Sequence, residues 1–258
     1  MPSANALRIQ IERTLENRFP AALTPMPRTV RQVATVGILE VDSLLSGGFP
    51  IGAISEIIGP STSGRTCLTL SFIAQRTSEG KVCAWVDASD SLDPESAAAN
   101  GVRLRQLLWV RCASNAAPGN GKPWSPLDRA LRATDLLLQA GGFAAVVLDL
   151  GDVAGEHARR ISLATWYRFR QAADQSRSCL LVLGSAAYAQ SSADVVLECA
   201  PLVAGDTNQP VLESCAFDVQ LKRQRSASSV AAIRKPPAST WTAPGAWAMG
   251  ACATGDRG

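Results

Sequence analysis

The sequence predicts an α/β fold in which a mostly parallel, twisted sheet lies between helices. Three observations carry this. Residues 56–66 read EIIGPSTSGRT, a β-branched strand running straight into a glycine-rich loop and then a helix. Short apolar runs at 82–86, 144–148 and 179–183 lose the alternation of a half-exposed strand, as parallel strands covered on both faces do. Longer stretches of helical period separate them, the strand–helix order that builds a parallel sheet. The chain has 258 residues, 47% of them hydrophobic, enough for one sizeable domain with short additions at each end. A net charge of +3 offers no overall electrostatic case for nucleic acid, so any basic patch must be local. Seven scattered cysteines without C-x-x-C spacing read as small core residues in a reducing compartment, not as zinc ligands or a redox pair.

In chain order, Leu7, Ile11 and Leu15 recur every fourth residue among charged neighbours. They predict an amphipathic helix over 5–19, either packed on its own domain or reaching to a neighbouring subunit or partner. Pro20, Pro25 and Pro27 close it, so residues 1–34 are expected to be a helix and linker ahead of a core at 35–229. The N-terminus has no charged and apolar leader pattern, and no apolar run approaches the roughly 20 residues a bilayer requires. A cytoplasmic protein with no membrane contact is expected. From Arg234 the composition turns to Pro, Ala, Ser, Thr and Gly, which predicts a disordered tail over 230–258, with Trp241 and Trp247 as a candidate partner-binding motif.

The loop has the form G-x-x-x-x-G-R-T. Backbone N–H groups that curl round an anion need glycine where a Cβ would block the turn or the ligand, which suits Gly59 and Gly64. The following helix points its positive end at the same anion. The candidate phosphate-binding set is therefore Gly59, Pro60, Ser61, Thr62, Ser63, Gly64, Arg65, Thr66 and Cys67. Thr66 stands where a hydroxyl would hold Mg²⁺, and the residue before it ordinarily supplies a lysine to the β and γ phosphates. Here it is Arg65, which keeps the charge but is longer, planar and forked.

Beyond the loop, strands are expected at 81–87, 107–111, 143–150, 179–183 and 194–198. An irregular stretch covers 112–126, and a helix 127–140. The run at 143–150 ends its apolar residues in Asp149, the position from which a carboxylate holds Mg²⁺ through water opposite a phosphate loop. A helix over 156–175 carries Arg159, Arg160, Arg168 and Arg170, with Arg177 after it, around Leu163, Trp166, Tyr167 and Phe169. Two readings stay open: arginines and aromatics as a nucleic-acid or protein surface, or a sheet-covering helix with solvated arginines. A last strand ends in Lys222-Arg223-Gln224-Arg225, whose alternate arginines would share a face.

The stretch 36–58, a Gly-Ile, an Asp-x-Leu-Leu helix, a Gly-Gly-Phe-Pro turn, a glycine and a strand, resembles the approach to the core of the RecA family of recombination ATPases. The likeness continues through the loop into Asp87-Ala88-Ser89 and the Leu92-Asp93-Pro94 turn, and covers roughly 36–225. It implies a RecA-like P-loop NTPase core that takes ATP and Mg²⁺, the metal falling to Thr66 and Asp149. In that family a glutamate two residues after the strand's aspartate polarises the attacking water, and here that position is Ser89. The neighbouring acid, Asp90, is shorter, and one step along a strand would turn it to the opposite face. Arg223 and Arg225 resemble the paired lysines that reach the nucleotide of the next subunit, though a charge-protected strand edge reads as well. The loop at 184–193, DNA-binding in RecA itself, has no Lys or Arg here and only Tyr188 for stacking. Among relatives the chain is most similar to the small RecA-like proteins called ImuA, which serve in DNA-damage tolerance beside an error-prone polymerase. The resemblance thus implies a repair accessory protein with weak or absent hydrolysis, acting with polymerase or recombinase partners, with single-stranded DNA and self-association as further expectations. A filament-forming, DNA-dependent ATPase, with Asp90 or a neighbouring subunit supplying the catalytic base, and a nucleotide-free scaffold remain the alternatives.

Overall fold

A computed structural model describes residues 31–113, 125–202, 214–225 and 238–244. The expected helix over 5–19 and most of the irregular stretch lie outside them. In chain order the elements are β1 (Val33–Ala34), α1 (Leu39–Leu44), β2 (Phe49–Pro50), β3 (Ile54–Ile58), α2 (Arg65–Ser78), β4 (Cys83–Asp87), α3 (Pro94–Ala99) and β5 (Leu107–Arg111). They continue with α4 (Pro126–Ala140), β6 (Ala145–Asp149), α5 (Gly155–Ala158), α6 (Leu163–Ser176), β7 (Cys179–Gly184), β8 (Ala193–Pro201), β9 (Ser214–Gln224) and β10 (Ala238–Pro244). Eight strands form one sheet in the order β10-β9-β8-β3-β7-β6-β4-β5, while β1 and β2 pair separately. From β8 to β5 every pairing is parallel; β9 and β10 add antiparallel at one edge.

The central strands read as unbroken apolar runs because both faces are covered. Side chains of odd position in β4 and β6, such as Trp85 and Val147, join α2 residues Leu68, Phe72 and Ile73 in one core layer. Their neighbours Val86 and Leu148 join Trp166 and Phe169 of α6 in the other. Each large side chain so buried contributes about 1.5–3 kcal/mol relative to exposure. Helix α4 starts in a capping box, where Ser125 accepts from the Asp128 amide and Asp128 accepts from the Ser125 amide.

The structure alters two sequence expectations. The single helix over 156–175 is two, with Ile161 buried at the break and Ser162 capping the second by accepting from the Thr165 amide. Disorder over 230–258 does not hold at 238–244, where β10 pairs with β9 from Ala238↔Gln220 to Pro244↔Ser214. Trp241 is only 6% exposed and its ring lies 4.9 Å from that of Phe217. Burial of one large indole against a strand offsets the low order that the flanking composition favours. Residues 226–237 and 245–258 lie outside the described chain.

Candidate functional site

Parallel register brings the strand tips level. Ile58 pairs with Gly184, Leu183 with Asp149, and Asp149 with Asp87. The Gly59 amide donates to the Gly184 carbonyl at 3.1 Å, so the glycine-rich loop opens beside the end of β7 and one strand from Asp149. The loop then bends through left-handed conformations at Thr62 (φ 63°) and Gly64 (φ 84°). Thr62 adopts that region against a preference of roughly 1–2 kcal/mol, which marks the bend as imposed by its surroundings. Close packing demands both glycines as well. A Cβ on Gly59 would stand 2.3 Å from the Cys199 carbonyl oxygen, and one on Gly64 2.6 Å from the Phe217 ring.

Loop, helix and strand tips enclose a cavity of about 430 Å³, lined by residues 61–67, Ser91, Leu92, Asp149, Gly151, Asp152 and Phe217. Helix α2 begins at its edge, and Gly64 at the N-cap supplies no side-chain acceptor, so no side chain of the N-cap takes up the Arg65 and Thr66 amides that open the helix. Ser63 Oγ is buried without a partner. A loop bent by left-handed residues, uncapped amides and an orphaned hydroxyl together fit a phosphate group.

Arg65 is buried at 8% exposure, and its Nη1 donates to the Gly59 carbonyl across the loop. Thr66 is exposed on the cavity. Asp149 is 7% exposed, and its Oδ1 accepts from the Gly151 amide at 2.9 Å. Burial is the chief cause that pushes its carboxyl up to about 6, and the Asp87 charge adds to this, while the Gly151 amide and Arg65 pull the other way. Thr66 and Asp149 thus border the same cavity.

Asp87 is fully buried and organises the turn that follows it. Its Oδ1 accepts from the amides of Ser89 (3.2 Å) and Ser91 (3.1 Å), and its Oδ2 from the Leu92 amide (2.9 Å) and Trp109 Nε1 (3.2 Å). The turn presents Ser91 and Leu92 to the cavity. Ser89 and Asp90 are not among its lining residues. Asp90 has φ 56° and its Oδ2 accepts from Arg111 Nη2 at 3.1 Å.

Glu56, on the strand that carries the loop, is also fully buried. Its Oε1 accepts from the amides of Tyr188 (2.6 Å) and Ala189 (2.8 Å), and its Oε2 has no partner. Burial raises its pKa, against the pull of those amides and of Arg223. Tyr188 is itself buried, with its hydroxyl 2.8 Å from Ser185 Oγ, so it presents no face for stacking. Arg223 donates to the Gln190 carbonyl, and the Arg225 amide donates to the Asp194 carbonyl. Neither arginine lines the cavity. On α6, Trp166 and Phe169 are core residues, Arg168 pairs with Asp135 at 3.1 Å, and Arg170 lies 3.8 Å from Asp194. Leu163 and Tyr167 are exposed.

As lining residues, sequence reading missed Ser91, Leu92, Phe217, Gly151 and Asp152. Gly151 and Asp152 follow Asp149 directly, so a glycine and an acid just past a strand tip were the available signal. Phe217 has none, because only antiparallel pairing of β9 with β8 carries it over Gly64.

A family model for the RecA N-terminal domain matches residues 6–155, more than half of the chain. The chain belongs to this RecA family. The match includes the phosphate loop and Asp149 and stops just beyond Asp152. Protein RecA of Borreliella afzelii is 33% identical over 144 residues, 55% of this chain and 36% of the relative. Protein RecA of Rickettsia canadensis is 35% identical over 141 residues, 54% of this chain and 38% of the relative. The RecA-family chain therefore spans little more than a third of the length of these relatives. A crystal structure of the RadB recombinase superposes with a TM-score of 0.55 at 18% identity, covering 81% of this chain and 94% of that one. That likeness concerns the fold, and it extends past residue 155 into the strands that the family match does not reach. No helix among the described residues is long and apolar enough to cross a membrane.

Proposed function

We propose that this RecA-family chain is a DNA-repair accessory protein of the ImuA kind. It binds ATP with Mg²⁺ at residues 59–67 and hydrolyses it weakly or not at all. It acts in translesion synthesis or recombination through polymerase or recombinase partners, in the cytoplasm. The observation that carries this reading is the contrast between the two sides of one cavity. On the loop side lie the features that suit an anion, a bent backbone, a helix start without a side-chain cap, and Arg65. On the other side Ser91 and Leu92 stand at the wall, and Asp90 is turned to Arg111.

ATP bound there would supply a phosphoanhydride whose charge the Arg65 guanidinium and the loop amides hold, while Thr66 and Asp149 hold the metal. Among the described residues no base is hydrogen-bonded to the Ser89 or Ser91 hydroxyl, since Asp87 beside them takes up their amides, so neither hydroxyl is equipped to activate water at neutral pH. Among the described residues, Asp152 is the one exposed carboxylate on the cavity wall, and it follows Asp149, not the 88–92 turn. The short loop between β7 and β8 has no cation for phosphate, which weighs against strand exchange as the activity.

The test is titration of the purified chain with a fluorescent ATP analogue, with and without Mg²⁺, followed by phosphate-release measurements with single-stranded DNA added. Binding without release is the expected result. Release stimulated by DNA would replace this reading with that of a working recombinase ATPase, and absence of binding would leave a scaffold.

A further inference from the structure

Phosphate loops ordinarily end on a lysine, whose single ammonium needs little space. Arginine at this position brings a fork, and both its arms have to be housed. In this chain one arm is fixed, since Arg65 Nη1 donates to the Gly59 carbonyl. The other arm lies beside Gly151, just past the tip of β6. A Cβ built on Gly151 would stand 2.7 Å from Arg65 Nη2, 3.3 Å from Arg65 Cζ and 3.1 Å from Asp149 Oδ1. Gly151 has no left-handed backbone that would by itself call for glycine. What its missing side chain provides is room, and the group pressed hardest against that room is the guanidinium, with Asp149 Oδ1 next at 3.1 Å.

We propose that Gly151 is a positioning residue for nucleotide phosphate and forms a matched pair with Arg65: its bare Cα keeps the guanidinium low, between the phosphate loop and Asp149, and leaves the cradle open. The proposal rests on the nucleotide reading above. Held at Nη1 and with Nη2 lodged beside Gly151, the guanidinium presents a positive edge to the cavity that it lines. Any side chain at 151 pushes Nη2 away, and the cavity that Arg65 already lines is the space beside it. The displaced group is the far end of a flexible side chain, so the substitution moves the cation without unfolding the chain. A lysine at 65 has no second arm to displace, so beside it the same substitution leaves only the milder approach to Asp149 Oδ1.

Four versions of the 258-residue chain decide the matter: the natural one, G151A, R65K, and R65K with G151A. Each is titrated with a fluorescent ATP analogue in Mg²⁺, and its melting temperature is recorded. G151A should weaken binding about tenfold beside arginine, the scale of one lost charged hydrogen bond, and less than about twofold when added to R65K. Equal losses in both backgrounds, or no loss beside arginine, would overturn the pairing while leaving nucleotide binding in place. A common drop in melting temperature of more than about 5 °C on adding G151A, with or without arginine, would also overturn it in favour of a purely structural glycine. Silence of the natural chain towards the analogue would instead remove the nucleotide reading, and this inference with it.

Discussion

At the scale of single residues, Asp149 carries the clearest energetic signature. Its carboxyl titrates near 6 in the fold, against 3.8 when free, so the folded state binds the proton more tightly than the unfolded one. The stabilisation is present in full below pH 3.8 and is lost as pH rises through 6, a change of about 3 kcal/mol from the two pKa values. An Asp149→Asn chain should therefore lose that part of the pH dependence and be more stable than the parent at pH 8. Urea midpoints of the two chains between pH 4 and 8 check this, and a parent at least as stable as the variant at pH 8 would refute it. A carboxylate held at such a disadvantage fits a position that a cation is meant to occupy. Asp87 contrasts with it. Its two oxygens accept four hydrogen bonds, so Asp87→Ala should orphan three amides and an indole N–H and destabilise by about 2–4 kcal/mol, measured by denaturant unfolding. Gly64→Ala combines a left-handed φ of 84° with a 2.6 Å approach to Phe217, and it should weaken nucleotide binding more than Ser61→Ala on the exposed rim.

Among elements, β10 is the one whose presence changes the site most. Its Trp241 backs Phe217, and Phe217 closes the cavity over Gly64. Trp241→Ala should cost about 3 kcal/mol, in the range of buried aromatic truncations, and should loosen the Phe217 wall so that nucleotide affinity falls as well. Full stability with unchanged affinity in that variant would show that β10 is an ornament of the edge. The composition of the tail concealed this strand, because polar and small residues surround the single indole that anchors it. Helix α6 went the other way. Its arginine-rich pattern left two readings open, and packing decides for the sheet-covering one at Trp166 and Phe169, with Arg168 and Arg170 facing carboxylates. Such partly exposed pairs contribute little to stability, so the burial of the aromatics is what holds the helix.

At the scale of the whole molecule, ligand binding and folding are linked. A nucleotide at a hundred times its dissociation constant should stabilise the chain by about 2.7 kcal/mol. For a chain of this size that is a rise of roughly 5–10 °C in melting temperature. Thermal unfolding with ATP and Mg²⁺ measures it, and an unchanged midpoint at saturating concentrations would favour the scaffold reading.

What the sequence determined by itself was local in the chain. The apolar runs of the parallel strands, the glycine-rich loop between strand and helix, and Asp149 at a strand end all depend on neighbours within a few residues, where backbone geometry and burial period leave their mark directly. Tertiary structure decided what depends on strand order. Inserting β7 between β3 and β6 levels the loop with Asp149. Antiparallel addition of β9 sets Phe217 over Gly64, and β10 sets Trp241 behind it. The place of Gly151 under the Arg65 fork belongs to the same class, since residues 65 and 151 meet only through that sheet. A contact between distant segments is fixed by the packing of the whole core, and no single stretch of sequence carries it.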